Sequence, residues 1–215
     1  MRLYTYWRSS SAYRVRIALG LKQVPYQPVF VHLLRDGGEQ HRPEFREKSG
    51  LAQVPLLELD DGVRLTQSIA IIEYLEERFP EPPLLPKDPV QRAHARELSE
   101  LINSGIQPLQ NLSTLSFLAS EAPSVERGRW LNHFVTPGLA ALERRAFQTG
   151  SGFLVGDRVS IADVLLVPQL YAARRFAVEL TGYPTLLAVE ERCLALEAFV
   201  HAHPDNQADK DPNPA

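Results

Sequence analysis

The run Arg8-Ser9-Ser10-Ser11-Ala12-Tyr13-Arg14 sets three hydroxyls between two guanidinium groups, where a strand-like stretch gives way to a helical one. The first turn of a helix has unpaired N–H groups and a partial positive charge, so an anion placed there is stabilised, and a hydroxyl adds another donor. For a thiol ligand the consequence is more thiolate at neutral pH. The same serines also read as an N-cap and loop, and their spacing does not choose between the two. Gln53-Val54-Pro55 is a second candidate: a proline at a strand start beside a site is often cis, which leaves the preceding backbone available to a ligand. Gln67-Ser68 opens another helical pattern, whose amides suit a carboxylate or simply form a cap. Among the arginines, Arg8 is best placed to grip a carboxylate through parallel hydrogen bonds. Arg174 and Arg175 come next, with a favourable interaction at a helix C-terminus as the other reading.

Other reactive residue types point away from chemistry. His201 and His203 lack companion ligands, so no metal site is expected. Cys193 lies in an apolar pattern with Leu194, Leu196 and Phe199 and reads as a small core or boundary residue. Tyr4, Tyr6 and Tyr13 read as packing. A lone cysteine offers neither an internal disulfide nor a CxxC pair, which fits a reducing compartment. The net charge is −3, and residues 1–80 carry 11 positive and 10 negative charges. Without a basic platform, nucleic acid is not expected as a partner. No apolar run reaches the roughly 18 residues of a membrane helix, and the first residues do not form a signal peptide. The expectation is a soluble, cytoplasmic protein.

The 215 residues suit one large or two small domains. Five prolines between Phe79 and Pro89 exclude a helix or central strand and mark a linker. Before it, Leu3 to Trp7 and Tyr26 to Leu33 read as strands. Ala12, Val15, Ala18 and Leu19 recur at helical spacing, Asp60-Asp61-Gly62 is a hairpin turn between Val54–Leu59 and Val63–Leu65, and Ile69, Ile72, Leu75 and Phe79 mark another amphipathic helix. After it, the segments 90–118, 125–149, 161–177 and 185–201 are helical in length. Ser160-Ile161-Ala162-Asp163 has the capping-box pattern. The pattern predicts an α/β domain over residues 1–80, a linker over 81–88, an all-helical domain over 89–203 and a flexible polar tail over 204–215.

Several of these segments, read together, resemble the zeta-class glutathione transferases, and most of all their maleylacetoacetate and maleylpyruvate isomerases. They are Tyr6-Trp7-Arg8-Ser9-Ser10-Ser11-Ala12-Tyr13-Arg14-Val15-Arg16-Ile17-Ala18-Leu19, Gln53-Val54-Pro55, the run from Gln67-Ser68 to Glu77, the run from Gly105 to Ser113, and Leu196-Glu197-Ala198-Phe199. The likeness extends from about Leu3 to Pro204. It implies a thioredoxin-like N-terminal domain, an all-α C-terminal domain, and a homodimer using glutathione as cofactor. Carried over by position, the glutathione contacts are Ser9, Ser10, Ser11, Gln40, Val54, Gln67, Ser68, Gln107, Asn111 and Ser113. Two positions depart from the family pattern: Ser11 stands where many members have cysteine, and Tyr13 where tryptophan is common.

The resemblance further implies cis–trans isomerisation of a dicarboxylate keto acid. Reversible addition of the glutathione thiolate leaves a single bond that rotates before elimination. An enzyme borrowing the sulfur of glutathione does not need a cysteine at position 11. Ser9, Ser10 and Ser11 are the candidates to hold the thiolate, and Arg8 with Arg174 or Arg175 the candidates for the carboxylates and developing enolate. Two alternatives remain: a zeta-class transferase conjugating electrophiles or haloacids, and a non-catalytic assembly module with the same fold.

Overall fold

A computed structural model describes residues 1–212. In chain order its elements are β1 (Arg2–Thr5), α1 (Ser10–Leu21), β2 (Gln27–Phe30), α2 (Pro43–Arg46), β3 (Leu56–Glu58), β4 (Arg64–Thr66), α3 (Ser68–Arg78), α4 (Pro89–Asn103), α5 (Leu112–Glu121), α6 (Arg127–Thr149), α7 (Ile161–Arg175), α8 (Pro184–Leu194) and α9 (Glu197–Ala202). The chain forms two compact units, Met1–Pro82 together with the segment from Ala195 onward, and Pro83–Leu194.

The first unit is built on a four-stranded sheet ordered β2-β1-β3-β4. β1 and β2 are parallel, with Leu3 opposite Pro28, as the helical crossover through α1 requires. β3 runs antiparallel to both β1 and β4, pairing Leu3 with Leu57 and Leu57 with Leu65. The hairpin turns at the expected place, where Gly62 takes a φ of +87° that an L side chain rarely adopts. Leu3, Val15, Ile17, Leu19, Leu56, Leu57, Ile71, Ile72 and Leu75 are fully buried. These residues join the sheet to α1 and α3.

α1 also packs against α9. At Gly20 a Cβ would lie 3.2 Å from the Cβ of Ala198, so the absence of a side chain permits the close approach. Here the structure differs from the sequence-based boundaries, which ran the helical domain to residue 203 and left 204–215 as a flexible tail. Leu196 breaks the expected helix 185–201 into α8 and α9, and α9 belongs with the sheet. Residues beyond it are hydrogen-bonded: Gln207 Nε2 donates to the carbonyls of His201 and His203, and Asp209 accepts from the amide of Trp7. Side-chain-to-backbone hydrogen bonds thus order a segment whose polar composition gave no apolar cue. The last three residues of the expected tail lie outside the described residues.

The second unit is helical. α7 is its centre, with Ile161 to Leu170 buried throughout, and it packs on α4 and α8. The expected helix over 90–118 is three pieces, α4, a 3-10 turn over Gln107–Gln110, and α5. Gly105 and Pro108 cause the break: a Cβ at Gly105 would lie 2.6 Å from the Leu101 carbonyl, and Pro108 lacks a donor. The capping box forms as its pattern indicates. Asp163 accepts from the Ser160 amide at 2.7 Å, the Ser160 hydroxyl at 2.9 Å and the Leu154 amide at 2.8 Å. Among the described residues no helix is long and apolar enough to cross a membrane.

Candidate active site

β1 ends at Thr5, and a turn closed by the Ser9 amide on the Tyr6 carbonyl at 3.0 Å delivers the serines to α1. Ser9 is the N-cap: its backbone is extended (φ −71°, ψ 116°), and its Oγ accepts from the Ala12 amide at 3.2 Å. With a lone pair so engaged, the hydroxyl proton is left to donate, and the engaged hydroxyl is the better donor for it. Ser10 and Ser11 occupy the first two helical positions, where the helix supplies no acceptor for their amides. All three serines are half-buried. Arg8 lies beside them, its guanidinium carbon 5.3 Å from the centre of the Trp7 ring.

A hydrophobic cluster fixes this turn. Tyr4, Tyr6, Trp7, Val31, Phe45, Val54 and Leu56 pack together, so the residues leading into the serines share a core with Val54. Tyr4 and Tyr6 are the packing aromatics that the sequence indicates. The Val54–Pro55 peptide is cis.

Gln67 and Ser68 are placed by β4 and α3. Gln67 has φ +70°, a left-handed conformation that carries strain in a residue with a side chain, and such outliers gather at functional sites. Its carbonyl accepts the Ile71 amide. Ser68 is buried, and its Oγ accepts from Arg14 Nη1 at 3.1 Å. Arg14 has no exposed surface, so a guanidinium charge sits beneath the start of α3. Sequence reasoning missed this pairing. The available signal was the presence of two arginines, Arg14 and Arg16, within the apolar pattern of α1. Gln40 is buried as well, with Nε2 donating to the Leu33 carbonyl at 3.2 Å. Its Oε1 is buried without a hydrogen-bond partner among the described residues. Such an acceptor suits an incoming N–H donor.

Three further candidates lie in the helical unit, within seven consecutive residues. Gln107 opens the 3-10 turn, Asn111 is the extended residue before α5, and Ser113 is exposed in the first turn of α5. Arg174 is gripped through both terminal nitrogens by the buried carboxylate of Glu190. Arg175 lies over the Phe176 ring at 4.4 Å.

Burial pushes the Cys193 thiol up, and the nearby Asp163 and Glu190 carboxylates push it further. It is a core residue held in its thiol form, not a nucleophile. His203 packs edge-on against Tyr13 at 5.9 Å.

Residues 3–83 match the glutathione S-transferase N-terminal domain, and residues 138–197 the glutathione S-transferase C-terminal domain. Maleylacetoacetate isomerase of Pseudomonas aeruginosa is 49% identical over 97% of this chain and 98% of its own. A holo structure of maleylpyruvate isomerase, described as a bacterial zeta-class glutathione S-transferase, aligns with a TM-score of 0.92 at 36% identity, covering 98% of this chain and all of that one. Maleylacetoacetate isomerase from Anaeromyxobacter dehalogenans, solved with dicarboxyethyl glutathione and citrate in its active site, aligns with a TM-score of 0.88 at 47% identity over 98% of this chain and 97% of that one.

Proposed function

Because the chain belongs to the glutathione S-transferase family, in its zeta-class group of maleylacetoacetate and maleylpyruvate isomerases, we propose that it converts one of these maleyl keto acids to the fumaryl isomer with glutathione as cofactor. When bound, glutathione supplies a thiolate that adds reversibly to the conjugated double bond, so that the carbon skeleton can rotate before elimination. The dicarboxyethyl glutathione in the Anaeromyxobacter relative is a diacid joined to the tripeptide, and it supports this reading.

The observation that carries the proposal is the Ser9 hydroxyl, which accepts from the Ala12 amide and thereby keeps its proton for an anion at the head of α1. Ser9 holds the sulfur in its anionic form, and the amides of Ser10 and Ser11 add to the positive potential there. Ser68, steadied by Arg14, suits the γ-glutamyl carboxylate together with the start of α3. Val54 suits main-chain pairing with the tripeptide, Gln40 offers its buried carbonyl oxygen, and Gln67, Gln107, Asn111 and Ser113 complete the set implied by the family.

Arg8 stabilises a substrate carboxylate and the charge that develops on the enolate. Either Arg174, whose fork is held by Glu190, or Arg175, at the end of α7, serves a second carboxylate. The proposal includes a homodimer, which light scattering on the eluting protein would verify.

The test is to supply maleylacetoacetate and maleylpyruvate separately, with and without glutathione, and follow loss of the cis isomer. The expected result is conversion only when the tripeptide is present. Equal rates in its absence would refute the proposal, and a haloacid consumed in preference to both keto acids would shift it to conjugation.

A further inference from the structure

The peptide unit two residues before Ser9 is held from both sides, and both holds run through the C-terminal segment. On one side Arg16, only 2% exposed, donates to the Tyr6 carbonyl at 3.3 Å through Nη1 and to the Trp7 carbonyl at 3.0 Å through Nη2. Its Nε donates to the carbonyl of Ala202, the last residue of α9. On the other side the Trp7 amide donates to Asp209 Oδ2 at 2.9 Å, across 202 residues of sequence.

The segment bearing Asp209 is itself fastened. Asn206 Nδ2 donates to the Val200 carbonyl at 2.7 Å, Gln207 caps the end of α9, and Asp211 comes within 3.9 Å of His32. His32 in turn meets the Tyr6 ring edge-on at 5.0 Å. Asp209 Oδ2 thus accepts the Trp7 amide, while its Oδ1 is buried with no hydrogen-bond partner among the described residues. Keeping a carboxylate in such surroundings costs free energy, with burial raising its pKa and the Arg16 charge among the opposing effects. Tail packing alone does not require an oxygen acceptor there, whereas the Trp7 amide does.

We propose that Asp209 is a positioning residue for the thiolate-holding turn: by fixing the Trp7 amide opposite the Arg16 contacts, it sets the height and direction from which Arg8 and Ser9 leave β1. The inference rests on the proposed function for its kinetic consequences, but not for its structural one. A reactive geometry displaced by about 1 Å can lose about 100-fold in rate, so a loosened turn should appear in kcat. The affinity for glutathione depends more on Ser68, held by Arg14, and on Val54.

Two variants separate bonding from mere packing. Asp209→Ala removes the acceptor, whereas Asp209→Asn keeps an oxygen that can take the Trp7 N–H. In the ligand-free chain, hydrogen exchange of the peptide spanning Tyr6 to Ser11 should speed up in Asp209→Ala and return to near the parent rate in Asp209→Asn. With glutathione present, kcat in Asp209→Ala should fall about tenfold or more, with KM for glutathione nearly constant and the bound-thiol titration moved upward, and Asn should restore most of each. Unchanged exchange and an unchanged thiol titration in Asp209→Ala would overturn the assignment, whatever its melting temperature. Equal impairment in both variants would also overturn it, since charge rather than the bond would then be responsible. A parent chain that isomerises without any thiol would defeat the functional reading alone, because the exchange experiment still reports on the turn.

Discussion

Replacing Ser9 by alanine removes one oxygen with two tasks, and the structure lets each be weighed. As an N-cap, Ser9 Oγ satisfies the amide of Ala12, a residue with no exposed surface. Losing such a cap costs about 1 kcal/mol of stability. As a donor to an anionic sulfur, the hydroxyl makes a hydrogen bond to a charged group, worth about 1.5–3 kcal/mol. At about 1.4 kcal/mol per pKa unit, that bond corresponds to a rise of about one to two units in the pKa of bound glutathione. Ultraviolet absorbance of the thiolate against pH reads the second effect, and urea unfolding in the absence of glutathione reads the first. Ser9→Thr, which keeps a hydroxyl on a capping side chain, should restore much of both. If Ser9→Ala weakened the fold while the bound-thiol titration stayed within about a quarter of a unit, where the bond energy demands at least one, the hydroxyl would be a cap and nothing more. A larger shift in Ser10→Ala or Ser11→Ala would transfer the role to that serine.

Arg8→Ala should lower isomerase turnover by about 100-fold, as expected when a donor to developing negative charge is lost, with glutathione affinity nearly intact; turnover within about twofold of the parent would remove Arg8 from the mechanism. Ser68→Ala should weaken glutathione binding by about tenfold or more in calorimetry, the lower end of a charge-assisted hydrogen bond, and it also strips Arg14 Nη1 of its Ser68 acceptor. Unaltered affinity would place the γ-glutamyl carboxylate elsewhere. Burial pushes the Asp163 carboxyl up to about 6 against the pull of its Leu154 and Ser160 hydrogen bonds, so between about pH 4 and pH 6 the native state holds a proton that the unfolded chain has released. Its contribution to stability is therefore fully present below about pH 4 and lost as pH climbs through 6. The urea stability of the parent minus that of Asp163→Asn should fall across that window, and a flat difference would contradict the assignment.

Local chemistry made much of this molecule readable. The turn at Asp60-Asp61-Gly62 needs a residue that tolerates positive φ and has one, and the capping box at Ser160 and Asp163 forms with the bonds its pattern specifies. The alternation of strand-like and helical periods before the prolines gives the α/β unit. The Ser9 cap follows from a hydroxyl run placed between the two patterns. Each of these depends on residues within a few positions of one another, where sequence and structure share the same neighbours.

What stayed hidden depends on distance along the chain or on charge inside the core. Burying a guanidinium is costly, yet Arg14 and Arg16 are both buried in α1, among carbonyls and hydroxyls from β1 and its following turn, Ser68 and Ala202. The docking of residues 204–212 leaves little apolar trace because the side-chain amides of Asn206 and Gln207 and the carboxylate of Asp209 hold it, each against a backbone group. These two omissions share a cause. Arg14 reaches Ser68, Arg16 reaches the carbonyls before Ser9, and Asp209 reaches the amide between them, so the groups that composition marks as solvated are those that fix the geometry of the candidate site. A charged residue inside an otherwise apolar helical stripe is therefore worth reading as a demand for polar partners elsewhere in the fold. In this chain those partners are the turn before α1 and the start of α3, the two places to which the proposed function gives the sulfur and the carboxylate.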